Sequence, residues 1–309
     1  MSLQRLQDPG VAQLWCADQH ARGLRVGLVP TMGALHEGHV SLVKRAAAET
    51  DRVCVSLFVN PLQFGEAQDF ERYPRDFTAD CDLLAEAGAH MAFTGSLDQF
   101  FPDRPGQVSE WEPSDFEDPG PFAEGLEGAF RPGHFEGVAT IVRRLFEVCL
   151  PERAYFGAKD YQQTLVVRDL ARRMGYPEVV VCPTLREASG LARSSRNELL
   201  NPEERSAGLF LSRALYAARG LWMLGERDPM AFEALMGSVL GQSPLEVEYA
   251  TVRDPKAWTP GRPIPPLRQA VALIAARAGS VRLIDNMELD AGEGPAGAAS
   301  RSLPGESDR

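Results

Sequence analysis

Short apolar runs alternate with stretches of helical periodicity through the first 180 or so residues. The apolar runs at 26–29, 53–59, 91–94, 154–157 and 179–183 predict strands. Between them the pattern predicts a helix over 40–49 and another over 77–87, with Gly88 as its C-terminal stop. A third helix has the clearest periodicity, since Val138, Ile141, Val142, Leu145, Phe146 and Cys149 fall on one face. Strand, helix and strand in that order predict βαβ units on a parallel sheet, an α/β, Rossmann-like doubly wound fold.

The texture changes twice. Residues 98–132 turn to Pro, Gly, Asp, Glu and Phe, with a β-like piece around 108–111, and predict an excursion from the sheet that folds over the site. After Thr184, Asn201-Pro202-Glu203-Glu204 supplies an N-cap, a Pro at N1 and a Glu at N3 for a long helix to about Leu224. Asp228-Pro229 starts another helix in the same way. Alternating runs at 245–253, 270–276 and 280–286, the last two joined by a tight Ala278-Gly279 turn, predict antiparallel pairing. We therefore expect a first domain over 1–184, a smaller C-terminal α+β domain over 185–290, and a disordered tail over 291–309, where Gly, Ala, Ser, Pro and Glu leave little to bury.

Composition narrows the function. At 309 residues the chain buries a sizeable core without disulfides, and its five cysteines, scattered and never in a C-x-x-C pair, read as buried free thiols of a reducing compartment. With no leader-like apolar segment and no run of membrane-spanning length, a cytoplasmic location is expected. A net charge of −11 without a basic block opposes nucleic-acid binding, so an anionic ligand must meet local positive charge.

Four junctions carry candidate chemistry. Pro30-Thr31-Met32-Gly33-Ala34-Leu35-His36-Glu37-Gly38-His39 follows a strand and opens a helix, whose free N–H groups and dipole suit a phosphate. Its two histidines read either as phosphate donors able to bear charge near neutral pH, as a helix cap, or as a metal pair completed by His134 or a carboxylate. Phe156-Gly157-Ala158-Lys159-Asp160-Tyr161-Gln162-Gln163 again joins a strand to a helix, which puts Lys159 on the same sheet edge as His36 and His39. Arg193-Ser194-Ser195-Arg196 offers two guanidiniums and two hydroxyls, a set that can hold a polyphosphate or simply cap a helix. Phe58-Val59-Asn60-Pro61-Leu62-Gln63-Phe64 places two amides around a Pro turn, where they can read a small polar substrate or only form the turn.

Together with Tyr73-Pro74-Arg75, Arg131-Pro132-Gly133-His134-Phe135-Glu136-Gly137-Val138 and Arg282-Leu283-Ile284-Asp285-Asn286, these segments closely resemble the pantoate–β-alanine ligase family of the nucleotidyltransferase superfamily. The resemblance runs from Val26 to about Met287. It implies a two-step, ATP-dependent ligation through an enzyme-bound pantoyl adenylate, with release of pyrophosphate and then AMP. By the same resemblance, Met32, Gly33, Ala34, Leu35, His36, Glu37, Gly38 and His39 line the ATP site, together with Gly157, Ala158, Lys159, Asp160, Leu185, Arg193, Ser194, Ser195 and Arg196. His36, His39, Lys159 and Arg196 are the implied catalytic residues, with His39 the proton donor. Gln63 and Gln163 would bind pantoate, Gln63 also facing β-alanine, with Asn60, Arg131, Val138 and Val142 around them. Mg2+ would enter with ATP, Asp80 being a candidate contact, and a homodimer is implied.

The chain departs from the family pattern at Ala158, where Glu is usual, at Ser189, where Asp is common, and at Arg193, where Met is common. No phosphate donor is lost by these changes. Three rival readings remain, of which a catalytically idle nucleotide-binding or regulatory protein is opposed by the intact His36, His39, Lys159 and Arg196. An adenylyltransferase acting on a phosphate is opposed by the second domain and by Gln63 and Gln163. A class I tRNA synthetase is opposed by the acidic charge and the lack of an anticodon-binding module.

Overall fold

The computed structural model describes residues 2–65, 70–71, 73–104 and 106–290; the predicted tail lies outside them. Among the described residues six strands form one parallel sheet: β1 (Gln4–Leu6), β2 (Val26–Thr31), β3 (Arg52–Leu57), β4 (Met91–Phe93), β5 (Arg153–Gly157) and β6 (Glu178–Cys182). Their order across the sheet is β1-β4-β3-β2-β5-β6. The side chains alternate between two apolar layers as a pleat demands. Leu28, Cys54, Met91, Phe93, Ala154 and Phe156 face α1 (Pro9–Ala21), α6 (His134–Cys149) and α7 (Tyr161–Met174). Val29, Val53, Val55, Ala92 and Tyr155 face α2 (Glu37–Glu49) and α3 (Phe77–Ala87). Helices on both faces make the sheet doubly wound, as expected. Gly88 ends α3 in the left-handed region with φ 93°.

The sheet opens where the chain reverses direction. β2 is followed on one side by β3 and on the other by β5, and β2 pairs with β5 only at Gly27↔Arg153 and Leu28↔Ala154. The Val26 carbonyl bonds toward β5 and the Thr31 carbonyl toward the β3 side, so the alternation turns Pro30 toward β5, where the ladder has already ended. A proline can thus stand in a central strand without costing a hydrogen bond. The crevice beyond the carboxyl ends of β2 and β5 is the usual ligand position in such sheets.

The residues after Thr184 form a second layer. β7 (Glu246–Arg253), β8 (Val271–Ala278) and β9 (Val281–Glu288) make an antiparallel sheet, packed by α8 (Pro202–Met223) and α9 (Pro229–Leu240) through Leu211, Leu215, Trp222, Phe232, Met236 and Ile274. Asn201 and Glu204 form the predicted capping box at the start of α8. The β8–β9 turn is one residue later than expected, at Gly279-Ser280, because Ala278 still pairs with Val281.

Three expectations need correction. Gln4–Leu6 is a strand that no apolar run announced. Residues 108–110 form a 3-10 turn rather than a β-like piece. The excursion over 98–132 divides, its earlier part leaving α4 (Leu97–Phe100) and packing on the outer side of α6 through Glu117 with Arg143 and Thr140. Only its later part, α5 (Leu126–Phe130) and Arg131, reaches the crevice. Among the described residues no helix is long and apolar enough to cross a membrane.

Candidate active site

The two histidines are held by the helix they open. His36 is the N-cap of α2, and its Nδ1 accepts the Gly38 N–H at 3.1 Å. The His39 Nδ1 in turn accepts the His36 N–H at 3.3 Å. With both Nδ1 atoms committed as acceptors, each neutral ring carries its proton on Nε2, which leaves an N–H donor for a ligand. The rings lie 4.1 Å apart and both line the central cavity. Burial, aided by the nearby Lys159, pushes His36 down to about 4; burial pushes His39 down to about 3. Against expectation, then, the pair is neutral near pH 7, acting as dipolar donors. Capping and ligand binding are compatible here, because they use different ring nitrogens. A metal pair would need a ring nitrogen to lose its proton or its cap.

The turn before them is built from behind. Gly33 has φ +84° and Ala34 φ 50°. The Asp80 carboxylate accepts the Ala34 N–H at 3.0 Å and the Leu35 N–H at 2.8 Å. This corrects the magnesium expectation for Asp80, which is buried, lies outside the central cavity and has each oxygen occupied by a backbone donor. Met32, His36, Gly38 and His39 line the cavity, whereas Gly33, Ala34, Leu35 and Glu37 support it without lining it.

The opposite wall comes from the turn after β5 and from the loop after Leu191. Asn286, on β9, donates to the Ala158 carbonyl at 2.9 Å and to the Lys159 carbonyl at 2.7 Å, fixing the backbone under Lys159. The Lys159 Nζ lies 3.1 Å from Asp160 Oδ1. Gly157, Lys159, Asp160 and Gln163 line the cavity, and Ala158 does not. Ser194 Oγ accepts the Arg196 N–H at 3.3 Å, Ser195 Oγ is 3.3 Å from the Tyr73 hydroxyl, and the Arg196 guanidinium lies 6.0 Å from the Tyr73 ring centre. Arg193, the departure from the family pattern, pairs with Glu37 at 2.7 Å, so its charge ties this loop to the start of α2. Leu185 lines the cavity, and its carbonyl accepts the Arg193 N–H at 2.9 Å. Lys159, Arg131, Arg193 and Arg196 thus gather positive charge in a chain of net charge −11.

The lining also holds an apolar set, Phe58, Val138, Ile141, Val142 and Leu145. Gln63 lines the same cavity, its amide nitrogen 3.1 Å from Met32 Sδ. Asn60, by contrast, is spent on the turn: its amide donates to Gln63 Oε1 and to the Gly137 carbonyl, both at 3.1 Å, and its oxygen accepts the Leu62 N–H at 3.2 Å. Asn60 lines the cavity as expected of a substrate-site residue, and from there it orients Gln63. Gly137 permits the approach, since a Cβ there would lie 2.1 Å from the Leu62 carbonyl oxygen. Arg131 lines the cavity with its guanidinium 3.0 Å from His134 Nε2 and 3.4 Å from the Gln63 carbonyl. Gln162 also turns out to be structural, donating to the carbonyls of Phe122, Glu124 and Gly125 and accepting from the Glu127 N–H.

Sequence reasoning did not find the joint in the cavity wall. Glu127 accepts two hydrogen bonds from Arg282 and one from the Tyr249 hydroxyl, all at 2.7 Å. Arg186 clasps Asp285 with both nitrogens, at 2.6 and 2.9 Å. The available signal was polar residues, Asp285 and Asn286, set in a strand that otherwise reads as buried.

The depressed histidines set a pH dependence. The unfolded chain protonates His36, His39 and His134 near 6.5, whereas burial holds His134, like His39, down at about 3 in the fold. The unfolded state therefore binds more protons below about pH 6.5, and stability is lost as the pH falls toward 4. His134 alone should cost about 2 kcal/mol between pH 6.5 and 5. Melting of the ligand-free protein across this range should show the fall, and His134→Gln should flatten it; an unchanged slope would refute the assignment.

A family profile described as pantoate-beta-alanine ligase matches residues 5–288. The chain is 46% identical over 283 residues to the pantothenate synthetase of Roseiflexus sp. (strain RS-1), covering 91% of this chain and 98% of that one. It is 49% identical over 269 residues to the pantothenate synthetase of Rubrobacter xylanophilus, with 86% and 92% covered. Among solved structures, the pantothenate synthetase of Thermus thermophilus superposes with a TM-score of 0.80 at 40% identity, covering 93% of this chain and 99% of that one. The Francisella tularensis pantoate-beta-alanine ligase, described as complexed with beta-gamma ATP and beta-alanine, superposes with a TM-score of 0.70 at 27% identity, with 94% and 99% covered. The chain belongs to the pantoate–β-alanine ligase family.

Proposed function

We propose that the crevice between β2 and β5 activates pantoate with ATP and then joins it to β-alanine, with residues 1–184 binding ATP and pantoate and 185–290 closing over them. The observation that carries this reading is the mixed lining of one cavity, where neutral histidine donors and cations share the walls with an apolar set and the amides Gln63 and Gln163. A free carboxylate is a poor acylating agent, so its oxygen first attacks the α-phosphorus of ATP while the bond to pyrophosphate breaks. The β-alanine amine then attacks the acyl carbon of the adenylate, the bond to AMP breaks, and the amine proton is lost.

The residues match the charge that develops. The Nε2–H groups of His36 and His39, the Lys159 ammonium and the loop of Ser194, Ser195 and Arg196 meet the phosphate oxygens. One preorganised donor of this kind is worth about 3–4 kcal/mol of barrier. The dipole of α2 adds less, roughly 0.3–2 kcal/mol. Gln63 and Gln163 read the hydroxyl and carboxylate of pantoate, and Val138, Ile141 and Val142 take its gem-dimethyl group. Holding both reactants in line contributes up to about 7–11 kcal/mol. No covalent nucleophile is required.

Magnesium fits this cavity as a passenger of ATP. Among the described residues the lining carboxylates are Glu127, Asp160 and Asp285, committed respectively to Arg282, Lys159 and Arg186. A hard cation brought in by ATP would be held by phosphate oxygens and water, and would supply charge neutralisation for the leaving pyrophosphate.

The test is ATP–pyrophosphate exchange. It is expected only when pantoate is present and without any need for β-alanine. No exchange with pantoate, while ATP demonstrably binds, would overturn the reading.

A further inference from the structure

All five cysteines are buried free thiols, as the sequence suggests, but three of them converge. Cys16 on α1, Cys54 on β3 and Cys149, the last residue of α6, come from three elements, and their sulfur atoms all lie within 4.8 Å of one another. Among the described residues no other group of histidine, cysteine and carboxylate side chains is so gathered. We propose that Cys16, Cys54 and Cys149 bind one thiophilic divalent cation, zinc being the biological candidate, as a staple between α1, β3 and α6.

The geometry suits such an ion. A zinc–thiolate bond of about 2.3 Å puts three bound sulfurs roughly 4 Å apart, so the cluster needs at most a small contraction. Three thiols give up three protons to solvent as the cation binds, leaving one net negative charge. A monovalent ion such as copper(I) would leave two, and uncompensated charge in an apolar core is costly. The surroundings are apolar, with Leu28, Phe146 and Val148 in the same cluster. His20, one helical turn after Cys16, places its Nε2 3.1 Å from the Cys149 backbone carbonyl, and with Leu150 and Tyr176 it lines a surface depression that none of the three cysteines lines. Cys54 lies midway along β3, away from the carboxyl end that borders the crevice, so the staple is separate from the ligand site.

Cadmium is the probe to use, on the whole reduced protein. We expect one equivalent to bind with a thiolate-to-cadmium charge-transfer band, and X-ray absorption to show three sulfur neighbours. Cys16→Ser should weaken binding by more than about tenfold. Cys81→Ser and Cys182→Ser, which alter buried thiols elsewhere, should leave it unchanged. Zinc should raise the melting temperature of the native protein and not that of Cys16→Ser. The absence of a charge-transfer band, a band that survives Cys16→Ser, or a shell dominated by nitrogen and oxygen would each overturn the proposal. The X-ray absorption reading needs no variant, so a substitution that fails to fold leaves the test intact.

Discussion

Lys159→Ala is expected to lower pantoate-dependent ATP–pyrophosphate exchange by about 10²–10³-fold, the loss typical of removing one preorganised donor from developing charge. The change should scarcely touch stability. Lys159 makes one ion pair, to an Asp160 side chain that is 44% exposed, and such pairs contribute about 0–1 kcal/mol. Its backbone is held independently by Asn286, so the turn should survive the loss of the side chain. Exchange assays beside thermal melting separate the two effects. A rate within about fivefold of the native protein would mean that Lys159 does not meet the phosphates.

The second large effect is structural. Asp285→Ala should destabilise the protein by about 3–5 kcal/mol, because it leaves the Arg186 guanidinium buried without its carboxylate. The side chains of Arg186 and Asp285 are only 10% and 2% exposed. Arg186 also donates to the carbonyls of Gly190 and Asn286, so the loss falls on the strand that secures Lys159. Melting should drop by roughly 10 °C. Replacing both partners, with Arg186→Met and Asp285→Leu, should recover much of it, since the larger cost is the unpaired charge rather than the missing pair. A drop of only a degree or two in the single variant would mean that water already reaches this joint.

Much of this architecture was readable along the chain, for identifiable reasons. The strands of the parallel sheet are buried on both faces, so they appear as apolar runs even without alternation, and Gly88 marks the end of α3 because only a left-handed residue closes that helix. The residues lining the crevice were readable in part because the motifs around His36 and Lys159 sit where a strand passes into a helix. What escaped has a physical explanation too. Gln4–Leu6 is a three-residue edge strand with little to bury. The contacts from Asn286 to Lys159 and from Arg282 to Glu127 join residues 127 and 155 positions apart, a distance across which spacing says nothing. Asn60 and Asp80 carry the right chemistry for substrate or metal, and only the hydrogen bonds they already make show that both serve the backbone. The charge state of the histidines likewise depends on burial, which residue type alone does not reveal.

The central claim is that the pantoate carboxylate itself attacks ATP within this cavity. Pantoate labelled with heavy oxygen in its carboxylate, turned over with ATP and β-alanine, tests it by mass spectrometry of the released AMP. The account predicts one labelled oxygen in the AMP phosphate for each pantothenate formed. AMP without label, alongside product formation, would contradict it.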